Sequence, residues 1–107
     1  MQLTIETITT DSYLMLSLNG DVDTKTAPSL MEAFAALELA SLAELRIDMA
    51  SVGFLSSAGL RALVFAKQKM PASAQLILIG TSTEIADVIT KTGLSQAMKL
   101  VASHDDV

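Results

Sequence analysis

RIDMASVGFLSSAGLRALVFAKQK, residues Arg46 to Lys69, changes its period half-way along. At its start Leu45, Ile47 and Met49 alternate with Arg46 and Asp48, the period-2 pattern of a strand. Further on Leu60, Leu63 and Val64 recur at helical spacing and share one face. Ser56, Ser57, Ala58 and Gly59 stand between the two patterns. Ser57 occupies the expected N-cap position, where a hydroxyl accepts a hydrogen bond from the second or third helical N–H. Ala58 and Gly59 are small enough for a partner or a phosphate group to come close to the backbone.

Towards the N-terminus, Leu3, Ile5 and Ile8 suggest a first strand that ends near Thr10. Tyr13 to Leu18 (YLMLSL) reads as a second strand, bounded by Asp11-Ser12 and Asn19-Gly20. The short link between them predicts an antiparallel hairpin. After a polar loop, Thr26 is a candidate N-cap with Pro28 in the first turn. Leu30, Phe34 and Leu37 then form the apolar stripe of a helix running to about Ala40.

Towards the C-terminus, Lys67 and Lys69 suit the end of the helix that begins at Ser57, because cations complement the dipole there, and Pro71 stops it. QLILI at 75–79 is the continuous apolar run of a strand buried on both faces. Thr81-Ser82-Thr83-Glu84 matches a capping box and opens a helix through Ile85, Val88 and Ile89, closed by Gly93. Met98 to Val101 is a last short strand or a helix end, and residues 103–107 are expected to fray. The order predicts one α/β domain over residues 3–102, with a mixed, mostly parallel sheet of four to five strands and helices packed on it.

Half of the 107 residues are hydrophobic, enough for a core, and with 4% aromatic residues that core is aliphatic. The net charge of −5 argues against nucleic acid and anionic membrane surfaces, which select for Lys and Arg. Without cysteine there is no disulfide or thiolate metal site, a composition compatible with the cytoplasm. MQLTIETITT has no basic run and no apolar core, so no signal peptide is expected. One His, His104, and no Cys give no Ser-His-Asp or Cys-His arrangement, and no glycine-rich phosphate loop is present. No enzyme and no cofactor is expected.

Val52-Gly53-Phe54-Leu55-Ser56-Ser57-Ala58-Gly59-Leu60-Arg61-Ala62-Leu63 resembles the signature of the STAS domain, the fold of bacterial anti-sigma factor antagonists. Leu18-Asn19-Gly20-Asp21-Val22-Asp23-Thr24 resembles the family's L-x-G-(E/D)-(L/V)-D turn, and Val88 to Leu94 its closing helix and glycine. The resemblance implies a non-enzymatic, cytoplasmic partner-switching regulator. Its partners would be an ATP-binding serine kinase that is also an anti-sigma factor, and a PP2C-type phosphatase. The position matching the modified serine is Ser57, with Ser56 the second candidate because it replaces an aspartate common in the family. Asp21, Asp23, Thr24, Ser56, Ala58, Gly59 and Arg61 match the partner surface. Arg61, four residues beyond Ser57, is placed to reach back to a phosphate there.

Other readings stand beside these. Ser57 as an N-cap alone, and Asp21 and Asp23 as Asx-turn residues or two ligands of an incomplete metal site, need no partner. The same resemblance is compatible with a STAS subunit of a lipid-transporting ABC assembly, or with a domain sensing a small ligand or nucleotide.

Overall fold

The computed structural model describes residues 3–107. Five strands, β1 (Thr4–Thr9), β2 (Leu14–Asn19), β3 (Glu44–Ser51), β4 (Gln75–Ile79) and β5 (Lys99–Val101), form one sheet in that order. β1 and β2 make the expected antiparallel hairpin, and β2 to β5 are parallel neighbours. Three helices connect them: α1 (Ala27–Ala35), α2 (Ser57–Lys69) and α3 (Thr83–Lys91).

The register builds an apolar row across the sheet. Leu16 lies beside Ile47, Ile47 beside Leu78, and Leu78 beside Leu100. Successive side chains alternate faces, so these residues share one face. There they join Phe34 of α1, Leu63 of α2 and Ile89 of α3 in a single core. β4 lies between β3 and β5, and its Ile77 and Ile79 are buried on the opposite face as well.

That opposite face also holds Tyr13 and Arg46. The Arg46 guanidinium sits 3.7 Å above the Tyr13 ring, and its Nε donates to Glu44. The His104 ring lies 2.9 Å from the Tyr13 hydroxyl and 3.0 Å from Arg46 Nη1. This contact falls within the segment expected to fray. His104–Asp106 is a 3₁₀ turn in which the Asp106 carboxylate accepts from the Ser103 N–H at 3.1 Å. Its partners are remote in sequence, and local polarity carries no sign of them.

Two helix boundaries also differ from expectation. α1 ends at Ala35 rather than near Ala40, because the chain tightens at Leu37, whose N–H donates to Phe34 O at 3.1 Å. A separate 3₁₀ turn, Leu39–Ser41, then buries Leu39. α3 is capped by Ser82, whose Oγ accepts from the Ile85 N–H at 3.2 Å; the box from Thr81 to Glu84 does not form. The Thr81 hydroxyl is turned inward without a partner among the described residues. Gly93, at φ 81°, ends α3 as expected in the left-handed region that glycine enters without strain.

Candidate functional site: the start of α2

Because β2 and β3 are parallel neighbours, the loops that follow them leave from the same edge of the sheet. The two loops are laced together by backbone hydrogen bonds. Gly20 N–H donates to Ser51 O at 3.1 Å, Val22 N–H to Phe54 O at 2.9 Å, and Ser56 N–H to Val22 O at 2.8 Å. Val22 and Leu55 pair as a short parallel bridge, and both are buried. α2 therefore starts from a braced platform.

The bracing decides which serine caps the helix. The bond to Val22 holds Ser56 extended, at φ −79° and ψ 172°, and its Oγ accepts from the Gly59 N–H at 3.2 Å. Ser56, not Ser57, is the N-cap, which corrects the expectation from sequence. Ser57 is the first helical residue, and it is exposed. Its hydroxyl makes no hydrogen bond among the described residues, so it carries no capping duty.

Gly59 is likewise corrected. It is buried, and a Cβ there would stand 2.6 Å from Leu55 Cδ1 and 2.7 Å from Val22 Cγ1. Its missing side chain admits this chain's own core, not a partner. Ala58 and Arg61 do face outward. With Thr24, Pro28 and Met31 they line an open cleft of about 280 Å³ between α1 and α2. Phe54, in the loop ahead of α2, is 52% exposed, and the sequence reading did not single it out. The available signal was a lone aromatic in the loop ahead of the helix, in a chain with few aromatics.

Thr26 and Asp23 hold the other loop. The Thr26 hydroxyl donates to Asp21 O at 2.7 Å and accepts from the Asp23 N–H at 2.9 Å, instead of capping α1. The Asp23 carboxylate accepts from the N–H groups of Thr26 and Lys25, both at 2.9 Å. These backbone donors hold the Asp23 carboxyl below its ordinary value of 3.8. Asp23 thus makes the Asx-type turn that the plainer reading allowed. Asp21 is half-buried, and a Cβ on Gly53 would lie 3.2 Å from its Oδ1. Among the described residues no group of three or more His, Cys, Asp or Glu side chains converges to hold a metal ion.

The sign of the Asp23 shift sets a pH dependence. A carboxylate with a lowered folded value stabilises the fold above its unfolded value, and that contribution is lost as pH falls through the lower folded value. The Lys25 and Thr26 amide resonances are expected to move together as pH drops below 3.8. In Asp23→Asn that step should be absent; an unchanged step would assign the titration to another group.

A match to the STAS domain family spans residues 4–107. The chain belongs to the STAS family. This STAS domain is 28% identical over 99 residues to an anti-sigma-B factor antagonist of Staphylococcus epidermidis, covering 92% of each chain. It is 29% identical to the protein of that name from Listeria monocytogenes, covering 94% of this chain and 90% of that one. The crystal structure of an anti-sigma factor antagonist from Mycobacterium paratuberculosis superposes with a TM-score of 0.87 at 29% identity, over 97% of this chain and 89% of that one. Ala58 and Arg61 of this STAS domain line one cleft with Thr24, Ser57 is exposed at the start of the same helix, and Gly59 is buried. No helix among the described residues is long and apolar enough to cross a membrane.

Proposed function

We propose that this STAS domain acts as an anti-sigma factor antagonist, a non-enzymatic regulator in the cytoplasm. In its unmodified form it docks on an ATP-binding serine kinase that is itself the anti-sigma factor. Phosphorylation at Ser57 ends that contact, and a PP2C-type phosphatase restores it. The observation that carries this reading is the division of labour between the two serines. Ser56 is tied up as the cap, whereas Ser57 is exposed one residue further on. A kinase reaches Ser57 without breaking a native hydrogen bond, but modification of Ser56 would remove the cap, worth roughly 1 kcal/mol.

The relatives named anti-sigma-B factor antagonist, similar along nearly the whole chain, support the same role. The neighbouring surface suits a docking partner. Phe54 supplies an exposed aromatic anchor, and Ala58, Pro28 and Met31 give an apolar cleft beside Arg61. In this reading Asp21 and Asp23 flank the partner surface through the loop that carries Thr24, the Asp23 carboxylate being taken up by the backbone N–H groups of Lys25 and Thr26.

Incubation with the cognate kinase and ATP, followed by intact-mass measurement and peptide mapping, tests the proposal. One phosphate at Ser57 is expected, with none on the Ser57→Ala variant. Modification at Ser56 instead, or an unmodified chain in the presence of a kinase that binds it, overturns the assignment.

A further inference from the structure

We infer that the outer edge of β1 is a dimerisation surface, on which a second copy of this chain adds its own β1 antiparallel to the first. β1 is the terminal strand of the sheet, paired with β2 alone among the described residues. The phase of that pairing is set by the bond that continues it, from Thr10 N–H to Tyr13 O at 2.9 Å. Hydrogen-bonded pairs of an antiparallel ladder recur at every second residue, so Ile8, Glu6 and Thr4 turn their backbone groups towards β2. Ile5, Thr7 and Thr9 turn theirs to the open edge, where no strand pairs with them among the described residues. Sheets blunt such edges with Pro, Lys, bulges or very short strands. β5, the other edge, is three residues long and begins with Lys99. β1 has six residues, neither Pro nor Lys, and an unbroken register against β2. All of it but Ile5 is exposed, Ile8 by 43%.

The strand complements itself in one register. A two-fold axis perpendicular to the sheet keeps each side chain on its own face, so edge-facing residues meet edge-facing residues. Centred on Thr7, it pairs Thr7 with the second copy's Thr7, and each Ile5 with the opposite copy's Thr9. Every such pair exchanges two N–H···O bonds, so all the outward backbone groups of β1 are satisfied. On the face away from the helices, each Glu6 then stands opposite an Ile8. Centring on Glu6 instead sets two carboxylates directly opposite, which is unfavourable, and centring on Ile8 leaves Ile5 beyond the end of the partner strand. The contact closes on itself, and short β5 with its lysine offers no second edge, so the assembly stops at two copies. Both copies keep their helices on the same side of the joined sheet.

The contact is one strand wide, small among protein interfaces, so a Kd of the order of 10⁻⁴ M is expected. Sedimentation velocity from about 10 μM to about 1 mM should show the mean mass rising from one chain towards two. Thr7→Pro should weaken the association about tenfold, because it removes an edge-facing N–H from each copy. That N–H points away from β2, so no bond within the chain is lost and the melting temperature should stay within about 4 °C of the parent's. Thr7→Lys should also weaken the dimer, by setting two ammonium groups opposite each other. The chain has no cysteine, so single cysteines map the register. Thr7→Cys should form a disulfide-linked dimer under mild oxidation, since the Cα atoms of hydrogen-bonded partners lie about 5.5 Å apart. Thr4→Cys should not, because its counterpart lies roughly 20 Å away at about 3.4 Å per residue. A chain still monomeric at about 1 mM, a dimer that Thr7→Lys leaves unmoved, or equal cross-linking from positions 4 and 7 overturns the proposal.

Discussion

A Ser57→Asp variant is expected to lose its affinity for the cognate serine kinase by more than about a hundredfold, while Ser57→Ala binds as the parent chain does. Ser57 is exposed at the start of α2, one residue before Ala58, which lines a cleft with Thr24 and Arg61. A charge carried into a close-packed interface must shed its water. Where nothing answers it, the penalty exceeds roughly 3 kcal/mol, or about two decades of affinity. Phosphate, at about −1.5 to −2 charge, should act at least as strongly as aspartate. The domain itself tolerates the charge, because an anion in the first turn of a helix is favourable by about 0.3–1 kcal/mol. Arg61, one helical turn further on, adds an answering cation. A pull-down or calorimetric titration with the purified kinase decides the matter, with a thermal melt to confirm that both variants are folded. Equal affinities of the two variants would sink the switch.

A Leu63→Ala variant should show the opposite pattern: lower stability with an unaltered docking surface. Leu63 is fully buried and belongs to the core that joins α2 to the sheet. Removing a buried leucine side chain to Cβ destabilises by about 2–5 kcal/mol, a large share of the roughly 5–15 kcal/mol that holds a domain together. For a chain of this size the melting temperature is expected to fall by at least about 8 °C. Below its melting transition the variant should bind the kinase like the parent. A melting temperature within about 2 °C of the parent would mean that α2 relaxes into the space, at odds with its close packing.

The alternation through Met49, the helical recurrence after Ser57 and the run QLILI are local patterns, and all three became the elements they suggest. Periodicity survives folding because each element buries the face that its own spacing defines. The antiparallel first pair was legible for the same reason, through the turn residues between β1 and β2. Ends were less legible. Ser56 and Ser57 are the same residue type side by side, and composition cannot choose between them as the cap. The Val22 carbonyl, delivered by another loop, makes the choice. Gly59 read as an opening for a partner because its neighbours in space, Leu55 and Val22, are invisible to spacing alone. The turn at His104–Asp106 was read as loose because Tyr13 and Arg46 lie far back in the chain.

The amino-acid order by itself determined the succession of strands and helices, the aliphatic core and the placement of a hydroxyl pair at the head of α2. Those properties follow from short-range spacing and from hydrophobic burial, which needs no knowledge of neighbours. Tertiary structure alone decided which hydroxyl is committed to the helix and which faces solvent. It also brought Thr24 of one loop beside Ala58 and Arg61 of α2. Hydrogen-bond geometry between segments distant in the chain settles such matters, and it exists only once the parallel strands have brought their loops to the same edge.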